Sequence, residues 1–365
     1  MLNVGESMAQ GSLKIGKLLG IDIYVHWTLL LLLLFALVIS TSDLLLFIVV
    51  LLLFICVLVH EMAHSVVAIK NGIKVREIVL NIIGGASMID TTNINPEVEF
   101  RISIVGPLTN IFLGSIFGVI VLFTGVSQLT FVLQFLFEIN ILLGVFNILP
   151  AFPMDGGRVL RSWLKESKSD YDATMATVKV SYWITGIIVA AALIYVITIN
   201  ASFFYKEIDF FIFLIIAVFL FGGTQAEMQS ATMKMETSGL KVGKLLSKSF
   251  VVVDSSASIE HLYSIALEKK EHIILTRLNG TLMALDLFRG RSGRVSSIAE
   301  LAVPVAVMKS STNVFDALTM ISALNSGIGA VTSNGKVVGI ITTAKIQAFI
   351  YLHMLKSKNR KEYKR

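Results

Sequence analysis

The sequence predicts a polytopic α-helical membrane domain of about six transmembrane helices, with one short strand or re-entrant element. A C-terminal α/β module of two tandem units follows it. Three observations predict this architecture. Hydrophobic residues make up 55% of the 365 and charged residues only 15%, with a mean hydropathy of +0.78, far too apolar for a soluble domain. Six apolar stretches, at roughly 26–42, 44–69, 102–124, 129–149, 180–199 and 208–223, suit the length rule for spanning helices, the last being short. After Ala226 the composition becomes that of an ordinary globular domain, and residues 241–351 repeat at an offset of about 55. The expected divisions are a membrane domain over 1–226, the tandem module over 241–351 and a charged, disordered tail over 352–365.

The first stretch follows Lys14 and Lys17, but no small-residue cleavage site separates it from the second, so it reads as a retained span rather than a signal peptide. His26-Trp27 at its start is an amphipathic pair suited to the membrane interface, with a metal-ligand role for His26 as the alternative. Basic residues favour alternate loops: Lys70, Lys74, Arg76 and Arg101 after the second stretch, and Arg158, Arg161, Lys165, Lys168 and Lys179 after the fourth. That asymmetry predicts a multi-pass protein of the cell membrane with both termini in the cytoplasm. The net charge of +6 is explained by these helix-end residues beside a lipid bilayer, so it is no nucleic-acid signal. The single cysteine, Cys56, excludes an intrachain disulfide framework.

The second stretch carries His60-Glu61-Met62-Ala63-His64. On a helix the two histidines lie four residues apart on one face, so both rings can reach one metal ion, and Glu61 can take a proton from its water. Ionisable residues inside an apolar helix are costly unless paired or functional. His64 is six residues before Lys70, roughly 9 Å from that helix end, which puts the metal within the hydrocarbon region towards the cytoplasmic face. Between the second and third stretches, Gly84-Gly85-Ala86-Ser87-Met88-Ile89-Asp90 is too short for a span and reads as a strand or re-entrant hairpin. Its edge can bind substrate by β-augmentation; a plain connecting loop is the alternative.

The fourth stretch ends in Asn147-Ile148-Leu149-Pro150-Ala151-Phe152-Pro153-Met154-Asp155-Gly156-Gly157-Arg158. Its two prolines break the helix, and non-helical backbone at membrane depth needs protein or a wet cavity around it. A catalytic zinc site takes three protein ligands, and Asp155 supplies the third beside the histidine pair, with a helix N-cap as the alternative role. Asn147 is a donor to a developing oxyanion or an interhelical hydrogen bond. Glu138, further back on that helix, reads as a paired structural carboxylate.

HExxH in an apolar helix, with an N-x-x-P-x-x-P-M-D-G-G-R segment far downstream, resembles the site-2 protease family of intramembrane zinc metalloproteases. Val25-His26-Trp27, Gly84-Gly85-Ala86 and Gly106-Pro107-Leu108-Thr109-Asn110 agree, and the likeness spans about residues 20 to 225. The resemblance implies one zinc ion per chain held by His60, His64 and Asp155, with Glu61 as general base and Asn147 at the active site. It implies cleavage of a substrate's transmembrane segment, as in regulated intramembrane proteolysis. A membrane zinc transporter is the competing class, but it needs ligands stacked through the bilayer, and those matched here gather near one face.

In the C-terminal module, Val251-Val252-Val253 resembles Val305-Ala306-Val307, each followed by a helix and by a hairpin turning at Asn279-Gly280 or Asn334-Gly335. This is similar to a pair of CBS (cystathionine-β-synthase type) domains, with Gly339-Ile340-Ile341-Thr342 matching the end of the second half. Such pairs often bind adenine nucleotides and associate as homodimers. The ribose-binding acid is replaced by Lys345 in the second half. In the first half Leu287 stands where the hydroxyl would be and Arg289-Gly290 near the acid. A nucleotide bound there is therefore expected to meet phosphate contacts at Thr342 and Lys345, with a dimerisation or scaffold module that takes no ligand as the alternative.

Overall fold

A computed structural model describes residues 11–40, 44–89, 94–198, 203–269, 273–278, 280–285, 298–322, 324, 326–333 and 336–362. It divides into two compact units, Met8–Thr232 and a second that includes Met233–Arg365.

The first unit opens on strands β1 (Ser12–Leu18) and β2 (Ile21–His26), which the sequence reading took as a lysine-flanked lead-in to a helix. Helix α1 (Trp27–Ile39) follows, then α2 (Leu45–Lys70), β3 (Val75–Asn81), β4 (Gly84–Ile89), α3 (Pro96–Val121), α4 (Gln128–Ile148), α5 (Asp155–Leu164), α6 (Asp170–Thr198) and α7 (Phe203–Glu236). Among the described residues five helices (α2, α3, α4, α6 and α7) are long and apolar enough to cross a membrane and α1 is a shorter apolar helix, in keeping with the expected total of about six. The first apolar stretch loses its ends because His26 belongs to β2, where its Nδ1 accepts from the Thr28 amide and caps α1. Thirteen residues of α1 reach about 20 Å, short of a hydrocarbon core of about 30 Å.

Even so, α1 retraces α2. Strand β2 pairs in parallel with β3, with Ile23 opposite Ile78 and Val25 opposite Leu80. Since β3 leaves the C-terminal end of α2 and α1 leaves β2, α1 must run back towards the N-terminal end of α2. Ile21, Val25, Leu29, Phe54, Met62, Ile78 and Leu80 form the buried cluster that joins these elements. The sheet order is β1-β2-β3-β4, with β3 and β4 antiparallel, so the expected hairpin at Gly84 is an edge strand. Asp90 lies outside the described residues.

The second unit contains β5 (Val251–Val253), α8 (Ile259–Lys269), β6 (Ile274–Leu278), β7 (Thr281–Leu285), α9 (Ile298–Leu301) and β8 (Ala302–Pro304). Then come β9 (Ala306–Lys309), α10 (Val314–Ser322), β10 (Ile328–Ser333), β11 (Lys336–Thr342) and α11 (Thr343–Glu362). Strand–helix–hairpin occurs twice. β5 is parallel to β6 and β6 antiparallel to β7; β9, β10 and β11 repeat that pattern about 55 residues later. Each half has its own core, and Leu275, Leu282 and Ala284 of the first pack with Val305, Ala330 and Ile340 of the second. This is the expected tandem α/β module of two repeated units. Gly280 has the positive φ that its hairpin turn requires, whereas Asn279, Asn334-Gly335, Leu287 and Arg289-Gly290 lie outside the described residues.

The charged tail departs from expectation, because α11 continues as far as Glu362. Ile346 and Ile350 anchor its first turns in the core, and the Lys, Arg and Glu that follow are good helix formers.

Candidate metal centre

Helix α2 presents His60 and His64 one turn apart, with their rings edge to face at a centroid distance of 4.7 Å. Both are buried, at 6% exposure each. The chain reaches them again where α4 stops. The capping and turn geometry of 149–154 ends that helix, and α5 begins at Asp155, whose preceding residue Met154 makes no side-chain cap. The N-cap alternative for Asp155 therefore falls: its carboxylate points to the histidines instead. Asp155 Oδ2 lies 3.2 Å from His60 Nε2 and 3.2 Å from His64 Nε2, and the two nitrogens are 3.1 Å apart.

This nearly equilateral triangle fits zinc. Tetrahedral bonds of about 2.0–2.1 Å separate ligand atoms by roughly 3.3 Å. The donor set, two imidazoles and a carboxylate, is also that of an open catalytic site rather than a closed structural one. His64 Nδ1 donates to the Ile102 carbonyl at 2.6 Å, and a carbonyl can only accept, so the His64 lone pair is on Nε2, facing the triangle.

Small residues let the helices come this close. A Cβ on Gly106 of α3 would collide with His64 Nε2 and come within 2.7 Å of His60 Cε1. Side chains on Gly156 and Gly157 would strike backbone at Ile148 and Ala151, so the start of α5 can sit against the end of α4 only because both are glycine. The Asp155 loop is further held by Ser181 Oγ, which accepts from the Phe152 amide at 2.9 Å, and by Thr224 Oγ1, which donates to the Phe152 carbonyl at 3.1 Å. At the far end of α5, Arg161 Nε donates to Glu99 at 2.9 Å and Lys165 bridges Glu99 and Asp170 at 3.1 and 2.9 Å. Arg161 also lies 3.7 Å from Glu227 of α7.

Glu61 turns from the histidines' face towards β4, where its Oε2 accepts from Ser87 Oγ at 2.5 Å. A Cβ on Gly85 would collide with Glu61 Cγ. Gly84, Gly85 and Ala86 thus line an edge strand next to the glutamate. Asn147 occupies the last turn of α4, half-buried, and stands outside the ligand group. His26 is likewise outside it, among the described residues. Glu138 pairs with Gln134 at 3.0 Å on its own helix. In the second unit, Thr342 Oγ1 accepts from the Lys345 amide at 3.3 Å and so caps α11. The roles of Gly106, Ser87 and the Ile102 carbonyl escaped the sequence reading; the small residue in an apolar helix and the hydroxyl two positions after Gly85 were the available signals.

Two histidines on a membrane-length helix, an aspartate at the start of a short helix and a neighbouring glutamate form a candidate hydrolytic metal centre in a multi-pass membrane protein. The family model described as peptidase family M50 matches residues 48–129 and 124–193, which include all three ligand residues. The chain is 29% identical over 343 residues to the zinc metalloprotease MJ0392 of Methanocaldococcus jannaschii, covering 92% of this chain and 95% of that one. Among solved structures, a site-2 protease from the same organism is 29% identical, covers 60% of this chain and 95% of its own, and has a TM-score of 0.42. A CBS domain protein from Thermoplasma acidophilum, of 19% identity, covers 33% of this chain and 76% of its own, with a TM-score of 0.26. The chain is thus similar to peptidase family M50 over residues 48–193 and to a zinc metalloprotease over most of its length, which supports a zinc-dependent metalloprotease. That similarity favours a protease over the transporter alternative.

Proposed function

We propose that the chain hydrolyses peptide bonds in or near transmembrane segments of membrane proteins, with His60, His64 and Asp155 holding zinc and Glu61 as the general base. The observation that carries this reading is the buried triangle of ligand atoms with the Glu61 carboxylate on the same helix. Bound zinc would supply a Lewis acid and a more acidic water. Glu61 takes the proton of the water that attacks the scissile carbonyl carbon, and returns it to the leaving nitrogen as the C–N bond breaks. Asn147 donates to the developing oxyanion. An extended substrate adds to the free edge of β4 at Gly84, Gly85 and Ala86, as the half-buried edge strand beside Glu61 supports.

The basic residues that favour alternate loops support both termini on the cytoplasmic side. Regulated intramembrane proteolysis is the process such an enzyme would serve. The tandem module would take an adenine nucleotide weakly through phosphate contacts at Thr342 and Lys345, where α11 begins, and would mediate a homodimer. The decisive experiment combines metal analysis with cleavage of a model transmembrane substrate in detergent. Glu61→Gln should keep one zinc per chain and lose activity by about a hundredfold or more. Full activity in that variant refutes the mechanism.

A further inference from the structure

The Glu61 carboxylate is held by the strand that the proposed substrate would extend. Residues 85 and 87 of β4 share a face, since side chains alternate along a strand, and that face rests on α2. Opposite them in register are Leu80 and Ile78, both buried in the cluster that packs β3 on α2. Gly85 has no side chain because the Glu61 stem fills that space. Ser87 Oγ lies 2.5 Å from Glu61 Oε2 and 3.3 Å from the Glu61 carbonyl. A hydroxyl has one proton, and the shorter, charge-assisted bond takes it. The Ser87 oxygen is then free to accept, and Ser65 Oγ, fully buried one turn beyond Glu61, donates to it at 3.4 Å. The chain of donors runs Ser65, Ser87, Glu61 and crosses from α2 to β4 and back.

We infer that Ser87 is a positioning residue for the general base, and that through it the edge strand β4 sets where the Glu61 carboxylate stands. This rests on the reading of Glu61 as the base. The bond fixes one carboxylate oxygen at the strand and leaves the other to meet the attacking water. A substrate strand paired to β4 is then aligned to the same backbone that fixes the base, so a shift of the strand carries both. A structural hydroxyl that merely fills a gap would show no such link to turnover.

The test uses the full-length enzyme in detergent, with zinc content by elemental analysis and kcat and KM for a model transmembrane substrate. Ser87→Ala should keep zinc at the wild-type ratio, leave KM within about twofold and lower kcat by about ten- to a hundredfold, the range for a lost hydrogen bond to a charged group. Ser87→Thr, which keeps the hydroxyl and suits a strand, should restore most of kcat. In a Glu61→Gln background, Ser87→Ala should cost nothing further, because both changes act on one group. An active Glu61→Gln enzyme would sink the base assignment itself. An inactive Glu61→Gln with an unimpaired Ser87→Ala overturns only the present inference. So does a Ser87→Ala effect confined to KM, a loss of zinc, or a failure of Ser87→Thr to rescue.

Discussion

Gly106→Ala should empty the metal site while leaving α3 helical. The substitution adds one methyl group, and helix propensity alone favours alanine over glycine by about 1 kcal/mol. What it meets is the ligand set. The new carbon would overlap His64 Nε2, stand 2.5 Å from His64 Cε1 and 2.7 Å from His60 Cε1, where ordinary contact begins at 3.4 Å. Restoring contact distance needs about 0.9 Å of movement at His64 Cε1 and more at Nε2, against a ligand-distance tolerance of about 0.2 Å. The ring has little freedom to give way, because its Nδ1 is tied to the Ile102 carbonyl on the same helix as Gly106. Losing even an outer partner of a ligating histidine costs about 10–100-fold in metal affinity, so displacing the ring itself should cost at least about a hundredfold. Competition titration against a zinc chelator gives the affinity, and circular dichroism checks the fold. Wild-type zinc affinity in a folded Gly106→Ala protein would refute the packing argument.

A membrane-impermeant chelator should inactivate the enzyme in sealed vesicles only from the cytoplasmic side; equal inactivation from outside overturns the orientation. Arg161→Ala should lower thermal stability in detergent by about 1.5–3 kcal/mol, the worth of a hydrogen bond to a charged group, because Lys165 still pairs with Glu99; an unchanged melting temperature contradicts the buried cluster. Calorimetry should find ATP binding to the full-length protein weak and further weakened by Lys345→Ala, and tight binding that ignores this substitution rejects the phosphate contacts. Chelated, zinc-free enzyme should keep its helical signal, melt lower by an amount that grows with added zinc, about 2.7 kcal/mol at a hundred times the dissociation constant, and recover activity on zinc return; loss of helix on chelation contradicts a preformed site.

That His60, His64 and Asp155 come together was legible from local signals. Four-residue spacing on a helix fixes the pair, and a proline-broken helix end with an acid beside glycines marks the third ligand. The N-terminal strands were legible in principle. Ile21, Ile23 and Val25 are buried while Asp22, Tyr24 and His26 are half-buried, a period-two pattern, but an apolar run behind two lysines imitates the start of a spanning helix. What could not be read is long-range. Arg161 and Lys165 looked like loop charges that orient a helix, yet they meet Glu99 from 62 and 66 residues away. Ser87 looks like any strand hydroxyl until β4 is laid on α2.

These distant contacts explain how a centre that needs water and charge persists among apolar helices. An unpaired ionisable group there is costly, and removing one partner of a buried pair leaves the other uncompensated. Helix α5 meets this constraint at both ends. Asp155 in its first turn faces two imidazoles on α2, while Arg161, six residues or roughly 9 Å further on, is tied with Lys165 to Glu99 of α3. Between the ends, Gly156 and Gly157 let the helix rest on the end of α4. A ten-residue helix has little stability of its own, so its position is set by these tertiary anchors rather than by its sequence. The proposed third ligand is therefore placed by charges outside the ligand triangle, and the acidic and basic residues that a topology argument treats as membrane-side markers also hold the geometry of the candidate site.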